Sequence, residues 1–165
     1  MLLTIILGII CCAGISGVLI SAIVFIQDNW MFSSAPKEAK EKLQQRTGEV
    51  FYGAKAMGWV VMILSALSIT GAFVIAVWDG FRNGFTFFQF FLRLAVMLTM
   101  YKAFDMIFFD YFLLCRFHFF QHYFPEAAEA LVGRKYGFNI KSQLLKLIVI
   151  FPGIAALVAW ICTRV

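Results

Sequence analysis

The sequence predicts an all-α, polytopic membrane protein: a four-transmembrane-helix bundle with a long third helix and short cytoplasmic loop helices. Composition, charge-free runs and the placement of tryptophan carry that expectation. Of 165 residues, 62% are hydrophobic and 14% charged, with a mean hydropathy of +0.87. A soluble domain is about 45–50% apolar and about 25% charged, and a chain this short could not hide the excess from water. The composition therefore argues against a soluble enzyme, a disordered tail or a disulfide scaffold.

The first run, residues 2–26, contains no charge before Asp28. It matches the roughly 20 apolar residues needed to cross a hydrocarbon core of about 30 Å. No basic segment precedes it and it is long for a leader, so a mature helix is expected and not a cleaved signal. Ser34 to Gly48 then reads as a short solvated helix, a connector first and a partner-docking helix as the alternative. Ser34 is its cap, Pro36 lies in its first turn, and Lys37–Glu41 and Glu38–Lys42 are i,i+4 pairs. A second charge-free run spans 56–78.

The third run, 85–115, is apolar but interrupted by Arg93, Lys102, Asp105 and Asp110. Each such group costs about 2.5–3.5 kcal/mol or more at mid-membrane, and no spanning window of roughly 20 residues avoids both cations. Lys102 and Asp105 are i,i+3 and can pair on one helix. Arg93 and Asp110 need another helix, backbone or water. A helix from Phe85 to Arg116 would extend about 48 Å, so its cytoplasmic end can project past the core. Two roles follow for the four charges, a structural one of pairing and anchoring, and a functional one as a polar ion or ligand pathway.

Beyond this run, Arg116 to Phe124 is aromatic and polar, suited to the headgroup zone. Pro125 opens a short turn over 126–132 that stops at Gly133. Asn139 or Ser142 can cap the last span, 143–163, where Pro152-Gly153 suggests a kink that frees carbonyls toward a cavity. Trp30, Trp59, Trp78 and Trp160 all fall at expected water–lipid boundaries. No linker or repeat divides the chain, so residues 1–165 are expected to form one integral membrane domain.

Lys37, Lys40, Lys42, Arg46, Lys55, Arg116, Arg134, Lys135, Lys141 and Lys146 lie on one side of the spans, against Arg82 and Arg164 on the other. The positive-inside bias places both longer loops in the cytoplasm and both termini outside, as in a bacterial-type plasma membrane. The net charge of +5 is thus a topology signal and points to no nucleic-acid partner. The expected partners are the bilayer and a second copy or another membrane subunit. Ala13, Gly17 and Ser21 form a small-residue stripe on the first helix, suited to close helix packing.

Cys115, His118, His122 and Glu126 offer ligands suited to zinc or another transition metal, or interfacial acid/base groups. Pro125 interrupts the register before Glu126, so headgroup contact is the plainer reading of the histidines and no cofactor is predicted. The leading functional expectation is a small transport, channel or ligand-binding protein built around Arg93, Lys102, Asp105 and Asp110. A membrane-embedded enzyme acting on a lipid or isoprenoid, or an accessory subunit, is the alternative. No catalytic signature is present to name a catalytic residue.

Overall fold

The computed structural model describes residues 1–28, 37–43, 48–131 and 140–164, and every regular element in them is helical. The helices are α1 (Leu2–Ile26), α2 (Lys37–Lys42), α3 (Ala54–Arg82), α4 (87–116), α5 (Phe119–Tyr123), α6 (Ala128–Leu131) and α7 (Ile140–Cys162). Trp30, the cap at Ser34 and Pro36, Arg46, the stop at Gly133, Arg134, Lys135 and Asn139 lie outside the described residues. Among the described residues, three helices are long and apolar enough to cross a membrane: α1, α3 and α7. The helix α4 is as long but is set apart by its four charges.

Helix α1 coincides with the first charge-free run. Helix α3 overruns the second run at both ends, because Lys55, Asp79 and Arg82 keep helical hydrogen bonding where hydropathy has already fallen. Gly84 ends that helix region in a left-handed turn at φ 61°, a conformation that favours glycine. Thr86 then starts α4: its N–H donates to Gln89 Oε1 at 2.9 Å, the return half of a capping box. Helix α7 begins before Ser142, so Ser142 lies within its first turn and is not its cap.

Among the described residues three stretches are π-helical: Ser21–Ile26 ends α1, Asp105–Arg116 makes up the second part of α4, and Lys146–Ile150 precedes Pro152 in α7. Pro152 has no N–H to give and its ring crowds the preceding turn. The wider turn before it absorbs both effects, and α7 runs on unbroken to Cys162. Gly153 faces open space, so the expected opening toward a cavity is not found at that residue.

Neighbouring contacts run up, down, up, down. Helix α1 lies along α3 and α4, while among the described residues α7 packs mainly on α4. The arrangement is a trio with a fourth rod on one flank. One core joins Leu7, Cys11, Ala72, Ala76 and Met97 of the trio, and a second joins Phe90 to Ala159 and Cys162. The outward faces of all four long helices carry large exposed apolar side chains.

Close approach of α1 and α3 depends on glycine. A Cβ on Gly14 would meet Ile69 and the Ser65 carbonyl, one on Gly17 the Ser65 side chain, and one on Gly58 Phe25 and Ile26. The predicted stripe is therefore displaced: Gly17 is partly buried and Ser21 fully buried, but Ala13 is exposed and Gly14 takes its place at the contact.

The third core corrects the reading of the first loop. Helix α2 is not simply solvated. Ala39 and Leu43 are buried against Leu114, Phe120, Phe124 and Ala127, so the helix docks on the second loop of its own chain. Lys42 Nζ pairs with Glu129 across this contact at 2.8 Å. An open groove of about 520 Å³ lies alongside, lined by Glu41, Lys42, Leu43, Pro125, Glu126 and Glu129.

The hydrogen bond and charge of Lys42 hold the Glu129 carboxyl below its ordinary value of 4.5. A depressed folded-state value means the contribution is complete above pH 4.5 and is lost as pH falls through the folded value. Docking of α2 is therefore expected to loosen slightly in acid, read as faster protease cleavage near Gly48. Glu129→Gln should remove that pH dependence. An unchanged acid profile in the variant would show that the pair does not contribute.

Candidate functional site

The four charges of α4 fall into two groups. The first is at the α3–α4 turn, where Arg93 is buried despite its charge, at 8% exposed. Its Nη1 donates to Asp79 Oδ2 at 2.6 Å and to the Ala76 carbonyl at 3.1 Å. Its guanidinium also lies over the Phe85 ring, 4.3 Å from the centroid, close enough for a cation–π contribution. Asn83 Nδ2 donates to the other carboxylate oxygen of Asp79 at 3.0 Å and to the Asp79 carbonyl at 2.7 Å. Both oxygens of Asp79 are thus occupied and Arg93 is compensated. This group closes the hairpin between α3 and α4.

Sequence reasoning missed Asp79 and Asn83 because both lie beyond the charge-free run. The signal was available: Asp79 and Arg93 stand symmetrically about Thr86, and such positions face each other in a helical hairpin. Gly80 permits the close fit, since a Cβ there would run into the ring of Phe90.

The second group lies further along α4. Lys102 Nζ donates to Asp105 Oδ2, the i,i+3 pair expected from the sequence. Lys102 is buried and Asp105 nearly so. Tyr101 shares this neighbourhood, within the field of Asp105 and of Cys11 and Cys12 on α1. Cys12 donates weakly to the Met100 carbonyl at 3.8 Å, and none of the four cysteines forms a disulfide.

The π-helical part of α4 begins at Asp105. Five residues is one hydrogen-bonded step of a π-helix, and Asp110 lies in the fields of Asp105, Lys102 and Lys146. Gln143 of α7 donates from Nε2 to Asp110 Oδ2 at 3.1 Å. Among the described residues Asp110 has no ion-pair partner, and the buried Gln143 Oε1 has no hydrogen-bond donor. Gln143 was not singled out in the sequence, where it reads as an ordinary residue at the start of the last span.

Lys102, Asp105 and Asp110 therefore lie within one another's fields, with Lys146 of α7 also acting on Asp110, while Arg93 belongs to a separate clasp. Pro152 and Gly153 contribute no polar contact to either group among the described residues. The second group is the candidate site.

The remaining quartet is not assembled. Helix α4 ends at Arg116, and His118 adopts a left-handed φ of 52° before α5 starts. A second break at Phe124 precedes Pro125. These turns separate Cys115, His118, His122 and Glu126 from a single helical face. Among the described residues no three of His, Cys, Asp and Glu are grouped so as to hold a metal ion. His118 and His122 are exposed at the corner between α4 and α5. Known proteins offer no match: no protein-family model, curated protein or solved structure corresponds to this chain.

Proposed function

We propose that the chain is a four-span integral membrane protein of transport, channel or ligand-binding type, handling a proton or small cation at Lys102, Asp105 and Asp110. In this reading α4 is the additional span, and both termini lie outside, with α2, α5 and α6 on the cytoplasmic side. The exposed apolar faces of α1, α3 and α7 support lipid contact, and the open flank of α7 leaves room for a second copy. The observation that carries the functional reading is the unpaired carboxylate: among the described residues Asp105 pairs with Lys102, whereas Asp110 forms no ion pair and accepts from the Gln143 amide, with Lys102 and Lys146 acting on it only at longer range.

A carboxylate left ionised in a span costs a few kcal/mol. Binding a proton or a cation relieves that cost, and losing it again restores the charge. Lys102 keeps the pair from holding a cation too tightly. The Gln143 amide couples Asp110 to α7, so a change of charge at Asp110 changes a helix–helix contact.

The test is proton entry into liposomes containing the purified chain, followed with an entrapped pH dye under an imposed inside-negative potential. Asp110→Asn should abolish the flux while the helical content and unfolding midpoint are retained, because the amide preserves the shape of the side chain. Asp105→Asn should lose flux and stability together, since it leaves Lys102 buried without its counterion. Full flux in folded Asp110→Asn, or wild-type flux equal to that of empty liposomes, would refute the proton-handling reading.

A further inference from the structure

We infer that the corner between α4 and α5 binds the phosphate of an anionic phospholipid through Arg116, His118 and His122. The inference rests on the membrane reading above but is independent of proton handling. From Tyr111 to Pro125 the sequence holds no acidic residue, and its only basic groups are Arg116, His118 and His122. All three are exposed. Phe117, between two of them, is 69% exposed, and its ring stacks on Phe112 at 6.3 Å, on the end of the long helix. A guanidinium and two imidazoles on the segment that carries an outward aromatic wedge match the boundary between phosphate and acyl chain, where aromatic rings and basic side chains both gain.

The corner is held from beneath. Phe120 and Phe124 are buried with Leu114, Ala39 and Leu43, and Gln121 Nε2 donates to the Leu114 carbonyl at 3.1 Å. Alternate parts of one short segment thus divide between an internal core and exposed side chains that include its three basic groups. His118 marks the change of direction with its left-handed backbone, a conformation a residue with a Cβ adopts at a cost. Lys141 and Lys146 are exposed on the adjoining start of α7 and add to the positive potential on this side.

The full chain in phosphatidylcholine vesicles, carrying spin-labelled phosphatidylglycerol or phosphatidylcholine as tracer, tests the site. The chain should immobilise the anionic tracer in preference to the neutral one. Arg116→Gln should reduce that preference about fivefold, the equivalent of one basic group near the surface. His118→Gly should also reduce it and keeps the fold, because glycine suits the left-handed position. Arg82→Gln, at the other end of the spans, should leave it unchanged. Equal preference in the corner variants, or equal loss in Arg82→Gln, would overturn the inference. Displacement of the anionic tracer by inorganic phosphate would overturn it too, showing a free-anion site instead. A wild-type chain that does not enter vesicles at all would overturn the membrane reading itself, an outcome distinct from loss of lipid preference.

Discussion

Asp79→Leu is expected to destabilise the protein by about 3 kcal/mol, the scale on which removing one partner of a buried ion pair leaves the other uncompensated. Arg93 would keep the Ala76 carbonyl and the Phe85 ring but lose the one carboxylate it pairs with among the described residues. The second variant decides the cause. Asp79→Leu combined with Arg93→Met removes both charges and fills the space with apolar atoms, and it should recover most of the loss. Unfolding of the detergent-solubilised protein, followed by far-ultraviolet circular dichroism, measures both. If the double variant is as unstable as the single one, the α3–α4 clasp depends on packing and not on charge. If the single variant is as stable as wild type, the pair contributes nothing.

The second large effect is at the α1–α3 contact. Gly14→Leu should cost about 1–3 kcal/mol, the usual range for overpacking. Its Cβ would fall 2.5 Å from Ile69 Cγ1 and 3.1 Å from the Ser65 carbonyl oxygen, and backbone cannot swing aside. Gly14→Ala should already be destabilising. Gly71 on α3 has nothing within 4 Å of the corresponding position, so Gly71→Ala should be neutral or stabilising, because alanine favours a helix over glycine by up to about 1 kcal/mol. The opposite signs of two identical substitutions separate helix contact from helix propensity. Two equally neutral alanine variants would mean that the helices do not need this spacing.

The long helices were legible because each is written as a stretch of apolar residues. Charge-free runs located α1 to the residue and α3 to within a few, and the apolar stretches interrupted by charge did the same for α4 and α7. They marked what lipid tolerates, whereas helix ends are set by hydrogen bonds, such as those of Thr86 with Gln89 and Asn83 with Asp79. The Lys102–Asp105 pair was legible because its geometry is local to one helix. Partners on other helices, Asp79 for Arg93 and Gln143 for Asp110, depend on how the chain doubles back, and periodicity does not encode that.

Two misreadings have a common origin in backbone turns that an α-helical template does not contain. The sequence places His118 and His122 on one helical face with Cys115 and interrupts the register only at Pro125; the break at Phe124 falls where Pro125 puts it, but His118 already reverses the local hand. The π-helical segment from Asp105 shifts every later side chain of α4 away from its α-helical bearing. The buried face of α2 was hidden for a different reason. Ala39 and Leu43 are spaced as one apolar edge, but the surrounding lysines and glutamates suggested a fully wet helix.

Because α7 leans mainly on α4 among the described residues, it is the rod that can tilt with least disturbance to its neighbours. The Gln143 amide that meets Asp110 travels with it. Any swing of α7 would therefore strip the acid of its dipole and admit solvent along the seam, tying the tilt of one rod to the ionisation of one acid.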